Sequence, residues 1–404
     1  MINSPPKIIH IAIDGNEANV INRVGSNVYA YFLLKELFEL ADAEKHSMTV
    51  LLTKPPLGDM PPERKYWRYQ IVTPSQFWTW WALPIYLHQH QSEFDVFFTP
   101  GHYAPRLCPI PYVSSVMDLA FLEYPDMFKL SDLIKLKLWT KLSVGQAQKV
   151  ITISRYSQLA IHKHYNLPLT NIVVAPPALA NSTQVRRTTK SRKLLSAHRI
   201  QPPFILYLGT IQPRKNLVTL IKAYNLLRKK WTSSLDKSLG KSMVKKSNAP
   251  PQLVLAGKIG WLADRTLAQI RHSPYQQDIL LTGFVTEPEK NALLSWASCT
   301  VQIGLYEGFG IPVLESLSAG AIPVVANTTS LPEAVGKAGL LVDPQDKKGI
   351  AQALLTACTL PVKKRAEYRQ LGHKQLANFS WRSSAQTVLK TLWDVVASNK
   401  LVVK

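Results

Sequence analysis

Cysteine is scarce: the 404 residues hold three, Cys108, Cys299 and Cys358, far apart along the chain. That number and spacing fit neither a disulfide framework nor a metal-ligand pattern, so the thiols are expected to be reduced and structural. No apolar run approaches the roughly eighteen residues a membrane-spanning helix needs, and the start, MINSPPKIIHIAID, lacks the basic-then-apolar layout of a secretion signal. A cytoplasmic protein is the expectation. No Asp-x-Asp pair occurs, so a bound divalent metal is not expected. Acidic side chains are also few, 26 against 48 Lys+Arg, which leaves a net charge of +22.

The imbalance is local. Residues 1–185 hold 16 Lys+Arg and 14 Asp+Glu, whereas residues 186–404 hold 32 and 12. Much of the excess falls in RRTTKSRKLLSAHR (186–199) and RKKWTSSLDKSLGKSMVKKS (228–247), which read as a basic linker (181–202) and a solvated insertion (about 231–250). A positive surface attracts phosphate-bearing substrates or an anionic membrane face, and serves solubility equally well. Nucleic-acid binding has only the charge in its favour.

What is present is alternation. A hydrophobic content of 46% over this length supports two domains with their own cores. β-Branched runs (KIIHIAID, DVFFTP, YVSSVMD, KVITIS, NIVVAP, then FILYLG, QLVLAG, ILLTG, CTVQIG, AIPVVA) alternate with amphipathic stretches, the pattern of parallel βαβ units. The fold class is α/β: two doubly wound, Rossmann-like domains, 1–180 and 203–380, facing across a cleft.

Two segments carry chemistry. In CTVQIGLYEGFGIPVLESLSAGAIPVVA (299–326) a strand ends near Gly304, a turn built on Gly308 and Gly310 follows, and Pro312 takes a first-turn position in the next helix. Glu307 then lies on the loop and Glu315 on the first helical turn, two carboxylates turned to one ligand. The amides between them offer an anion a site. Carboxylates accept hydrogen bonds from vicinal hydroxyls, so the pair suits a ligand carrying sugar and phosphate together. A capping Glu315 and a surface Glu307 are the plain alternative. In FILYLGTIQPRKNL (204–217) a strand ends at Gly209, the loop carries Arg214 and Lys215, and Asn216 caps the next helix. Two cations at the carboxyl edge of a parallel sheet can neutralise a diphosphate; the alternative is a solvated pair.

With IAIDGNEANVINRVGSNVYAYFLL, KVITISRYSQLAIHKHY, LTGFV, SLPEAVGKAGLLVDP and FSWRSSA in order around these segments, the chain resembles the family-4 glycosyltransferases over nearly its whole length. The resemblance implies the GT-B fold, with the last helix (381–404) crossing back to the first domain. It implies retaining, metal-independent transfer of a sugar from a nucleotide-diphosphate donor, GDP-mannose or a UDP-sugar, to a hydroxyl acceptor. The acceptor would be a glycan or lipid-linked glycan held by the first domain. No cofactor is expected beyond that co-substrate, nor any nucleic-acid partner; peripheral contact with the inner face of the membrane is compatible with it. It implies that Glu307 contacts the donor sugar and Glu315 the ribose, that Arg214 and Lys215 bind the diphosphate, and that the backbones of Gly209, Thr210, Gly308, Phe309, Gly310 and Ile311 line the donor. The backbone around Val285 would meet the base. Other GT-B chemistries, such as an epimerase or a sucrose- or trehalose-type synthase, and an inactive nucleotide-sugar binder stay open.

The first half departs from the family pattern. Gly25 stands where relatives bring a glycine pair to the donor phosphates, here Gly25-Ser26, and reads equally as a helix start capped by Ser26. The usual His-Asp dipeptide is replaced by Met117-Asp118, and methionine cannot donate the histidine's hydrogen bond. Asp118, a backbone carbonyl, or His102 from TPGHYAP is left to make the sugar contact. In QFWTWWALPIYLHQH (76–90), Trp78, Trp81 and Leu83 read either as membrane-interface anchors or as core and acceptor-stacking residues, and the lack of lysines in the stretch favours the second.

Overall fold

Runs that are apolar at successive rather than alternate positions suit strands covered on both faces, and such runs make up most of both sheets of the computed structural model. It describes residues 8–101, 103–180, 187–237 and 249–402; His102 lies outside them. The chain divides into two units, Met1–Pro177 with Ser380–Lys404, and Ala178–Phe379.

In the first unit the strands are β1 (His10–Asp14), β2 (Ser47–Leu52), β3 (Trp67–Ile71), β4 (Val96–Thr99), β5 (Tyr112–Ser115), β6 (Lys149–Thr152) and β7 (Ile172–Val174). They form one parallel sheet in the order β3-β2-β1-β4-β5-β6-β7. The second unit has β8 (Phe204–Leu208), β9 (Gln252–Ala256), β10 (Ile279–Gly283), β11 (Cys299–Gln302), β12 (Ile322–Ala326) and β13 (Leu340–Val342), parallel in the order β10-β9-β8-β11-β12-β13. In each sheet the winding reverses between two neighbours, β1 and β4 or β8 and β11. Outside the carboxyl ends of such a pair lies the crevice where open α/β sheets hold ligands.

Strands β2, β3 and β13 were not expected. β3 is an edge strand with one buried residue in five, and β13 has three residues, too little pattern to read. The 181–202 linker is corrected in part: Thr189–Ala197 is a helix, capped by a reciprocal Thr188–Ser191 pair. It buries Leu195 in the core cluster that also holds Leu293 and Ala297, while the Ser191 hydroxyl accepts from Trp296 Nε1 at 2.9 Å. Its cations turn outward and its leucines inward. The expected insertion is likewise shortened, because the helix from Leu217 runs on to Lys237 and buries Trp231. Residues 238–248 of that insertion lie outside the described residues.

The last helix, Trp381–Val402, belongs to the first unit. Trp381 stacks on Phe32 at 5.4 Å, and Ser384 Oγ donates to the Pro176 carbonyl at 2.6 Å. Trp78 and Leu83 are core residues, with Trp78 Nε1 donating to Val72 O; Trp81 is 63% exposed. Two cysteines distant in sequence prove to be neighbours, Cys299 Sγ lying 3.8 Å from Cys358 Sγ. Among the described residues no helix is long and apolar enough to cross a membrane.

Candidate active site

The β8 loop leaves the sheet at Gly209, whose φ of 146° lies in the region that favours glycine. Gly257 after β9 shares that φ, and a Cβ there would fall 2.1 Å from Gly209 O, so the two strand ends touch by backbone alone. A short turn, Pro213–Lys215, then sets the two cations. The Arg214 guanidinium donates to Tyr306 O at 3.1 Å, and the Arg214 carbonyl accepts from Leu305 N at 2.9 Å. Loop and loop are thereby stitched together. Lys215 Nζ pairs with Glu307 Oε1 at 2.5 Å, their side chains 15% and 10% exposed. Gly304 makes this closeness feasible, since a Cβ on it would meet Glu307 Oε1 at 3.0 Å and Arg214 O at 3.3 Å.

Glu307 is fixed from its backbone as well. Its N–H donates to Thr329 Oγ1 and its carbonyl accepts from Ser330 Oγ, two hydroxyls from the loop after β12. Beyond it, Gly310 (φ 108°) starts the helix Ile311–Ser318, with Pro312 in its first turn. Phe309 turns into the core and meets Phe379 edge-on at 5.2 Å. Among the described residues no hydrogen bond engages the N–H groups of Gly308, Phe309, Gly310 and Ile311, which leaves them available to an anion.

Glu315 is the fifth residue of that helix, one turn further in than expected. Its Oε1 pairs with Lys290 Nζ at 2.6 Å, and Lys290 also holds Glu287 at 2.7 Å. Burial raises the Glu315 carboxyl above the usual range, and Lys290 pulls it partly back. Burial pushes Lys290 down, but its two carboxylates outweigh that and hold it above the usual lysine value. Asn216 does not act as the side-chain cap expected of it. It adopts φ 57° and spends its amide on Ile303 O and Pro344 O, tying three strand-end loops together. Val285 follows β10 and packs, partly buried, against the core of the second unit; Gly283 O, two residues earlier, accepts from Gly257 N.

The structure therefore brings Arg214, Lys215, Glu307 and the Gly308–Ile311 backbone together at the reversal point of the second sheet. The first-unit candidates are each set by contacts within their own unit. Gly25 precedes the helix Ser26–Glu44 with φ 56° and open space around it, and Ser26 does not cap that helix, because its hydroxyl donates to Glu17 Oε2 at 3.2 Å. Asp118 Oδ1 accepts from Ala120 N at 3.0 Å, which fixes the chain leaving β5, while Met117 is buried.

Sequence reasoning missed a cavity of about 200 Å³ at the reversal point of the first sheet. Asp14, Asn16 and Glu17 after β1, Thr53 after β2, Thr99 and Tyr103 at the end of β4, and Trp78 line it. Burial pushes the Asp14 carboxyl up to about 6, against two hydrogen bonds from Asn16 that lower it. Glu17 accepts from Asn27 Nδ2 at 2.7 Å. Two carboxylates beside two aromatic rings suit the hydroxyls and the C–H face of a sugar. The signal was there to read: IAIDGNE places acid and amide side chains at the carboxyl end of a first parallel strand.

Two such units define a class, the GT-B fold. Over 96% of this chain the structure matches sucrose-phosphate synthase from Thermosynechococcus elongatus, with TM-score 0.67, 17% identity and 100% of that chain covered. It matches Anabaena HepE in complex with UDP and glucose equally well, with TM-score 0.67, 15% identity, and 96% of this chain and 99% of that one covered. Residues 190–375 match the family model of the Glycosyl transferases group 1, and the second unit is a domain of that family, which bears out the resemblance its motifs carried. The O-antigen chain mannosyltransferase B of Escherichia coli is 30% identical over 252 residues, 61% of this chain and 61% of that protein. The match thus spans about three fifths of that relative.

Proposed function

We propose that this chain is a glycosyltransferase that moves a sugar from a nucleotide-diphosphate donor, held at the edge of the second sheet, to a hydroxyl acceptor held by the first unit. The observation that carries the proposal is the Lys215–Glu307 pair with Arg214 beside it at the β8/β11 reversal, inside the segment that matches the group 1 family. Cations there face a diphosphate, Glu307 a sugar hydroxyl, and Glu315 the ribose. Mannosyltransferase relatives, one of them named as GDP-mannose-dependent, favour GDP-mannose; a structural neighbour holding UDP and glucose keeps a UDP-sugar as the alternative. The acceptor hydroxyl is assigned to the cavity with Asp14 and Glu17, and Asp118 to orienting the sugar contact in place of the missing histidine.

The proposed route is retaining and front-faced. The bond from the anomeric carbon to the diphosphate oxygen breaks as the acceptor oxygen bonds to the same face, and the departing oxygen takes the acceptor's proton. Arg214 and Lys215 stabilise the charge that grows on the leaving group. On this reading the two cations take the place that a metal would otherwise hold. The test is incubation with labelled GDP-mannose and UDP-sugars in EDTA, with a glycan or lipid-linked acceptor. Expected is nucleotide release that requires the acceptor, with the anomeric configuration kept. Release of no nucleotide from any donor, with binding intact, would favour a second reading, an inactive nucleotide-sugar binder; buried Met117 is the observation on its side.

A further inference from the structure

The helix Glu287–Trp296 follows the β10 loop and begins on a capping box, in which Glu289 accepts from both the N–H and the hydroxyl of Thr286. Its first turn also presents Glu287 and Lys290, and the cap uses neither. Lys290 reaches across to the helix Ile311–Ser318, where its Nζ lies 2.6 Å from Glu315 Oε1, while Glu287 Oε1 holds the same ammonium at 2.7 Å. The three form a chain that runs inward from solvent: the Glu287 side chain is 72% exposed, that of Lys290 22% and that of Glu315 19%. A pairing with Glu287 one helical turn away would account for a solvated lysine. It does not account for one drawn inward to a second carboxylate.

Glu315 depends on that lysine. Burial by itself drives its carboxyl toward the neutral form, Lys290 is the cation that opposes this, and Glu287 pushes with the burial. β11 and β12, which pack against the helix of Glu315, carry no charged residue, and no charge from the neighbouring helices Leu331–Val335 and Val362–Leu376 acts on it. Among the described residues Lys290 engages Oε1, and no hydrogen bond engages Oε2. We propose that Lys290 is a positioning residue for the donor: it fixes the Glu315 carboxylate through Oε1, so that Oε2 is presented to the ribose hydroxyls of the nucleotide. The inference rests on the donor reading above and adds to it a residue that acts through Glu315. An ionised acceptor makes hydrogen bonds about twice as strong as a neutral one, and protonation would turn one carboxylate oxygen from acceptor into donor. Because Lys290 belongs to the helix that follows the β10 loop, the same bridge ties the loop proposed to meet the base to the carboxylate proposed to meet the ribose.

Calorimetry with GDP and UDP, each beside its 2′-deoxy analogue, tests it together with donor-dependent rates. Wild type should prefer the ribose form. Lys290→Met should raise the Kd of the ribonucleotide about tenfold or more and remove most of the preference over the deoxy analogue. It should raise the donor KM and change kcat little, because a ribose contact is made alike in the ground and transition states. Between about pH 7 and about pH 8.5, binding by Lys290→Met should strengthen by more than that of wild type, since without the ammonium the carboxyl ionises only at higher pH. Lys290→Arg should behave as wild type. Lys290→Met with Glu315→Gln strands no carboxylate, so it serves even where the single variant folds poorly; it should bind weakly with no such pH trend. If Glu315→Gln weakens nucleotide binding and folded Lys290→Met does not, or if Lys290→Met binds weakly yet keeps the ribose preference, the inference falls and the donor reading stands. Wild type that binds neither nucleotide, or binding that Glu315→Gln leaves intact, overturns the ribose placement itself and this inference with it.

Discussion

Lys215 and Glu307 hold each other in a nearly closed setting, so each stabilises its partner as well as any ligand. Lys215→Ala would leave a carboxylate that is 10% exposed without its cation, a change that typically costs about 3 kcal/mol or more. That variant is therefore expected to lose stability in urea denaturation as well as turnover, which should fall about a hundredfold or more if the lysine acts on the leaving group. Adding Glu307→Gln removes the stranded charge and should restore most of the stability and none of the rate. Recovery of both would deny the pair a part in the chemistry. Asp14 gives a second residue-scale prediction. Its folded-state value near 6 lies above the ordinary 3.8, so burial penalises the ionised form: stability is whole below the ordinary value and is lost as pH rises through 6. The loss approaches about 3 kcal/mol at pH 8. Asp14→Asn should thus match wild type near pH 3.5 and gain stability progressively toward pH 8, read from denaturation midpoints. A gain independent of pH would show that the carboxyl is not the cause. At the residue scale, the places of Arg214, Lys215, Glu307 and Glu315 were legible in sequence, because they fall in two local strand–loop–helix segments. The partners Lys290, Thr329 and Ser330 were not, since each arrives from another loop.

At the scale of elements, most strands with long apolar runs could be read, although β2, SMTVLL with five of six residues buried, was passed over, and strands without such runs could not. WRYQI becomes β3 only because β2 offers it a full ladder from Met48 to Leu52, a tertiary circumstance that overrides weak local preference. The converse holds for residues 189–197, where a dense run of cations hid a helix. Leu195 tests that assignment. It is 2% exposed and packs in the core of the second unit, so Leu195→Ala should cost about 2–5 kcal/mol, whereas Lys193→Ala on the outer face should cost little. A denaturation midpoint unmoved by the leucine change would return the segment to a linker.

For the whole molecule, the proposed donor site requires that a nucleoside diphosphate stabilise the chain by mass action. Ligand at about a hundred times its dissociation constant adds roughly 2.7 kcal/mol. GDP or UDP should therefore raise the melting temperature, and as much in EDTA as in magnesium if Arg214 and Lys215 are the diphosphate's counter-charges. A shift that appears only with magnesium would give that task to a metal. Net charge acts at this scale too, for a chain at +22 attracts anions over a Debye length whatever its local sites do. The nucleotide measurement therefore needs a salt series to separate that field from specific contacts.

The sequence by itself determined what lies within one βα segment: a buried strand, the glycine where the chain turns, the cations or carboxylates after it, and the start of the next helix. Such features are set by local sterics and periodicity, and they sufficed for the fold class and for the polar residues of the second sheet. Only the tertiary structure decided which of these segments meet. Lys215 and Glu307 are 92 residues apart, the Asp14 cavity draws on loops from three strands and on Trp78, and the ring of Trp80 meets that of Trp139, from a helix about sixty residues downstream. The physical reason is the same in each case. A parallel sheet returns every crossover to the same edge, so residues distant along the chain become neighbours through strand order, which no local pattern of hydrophobicity encodes.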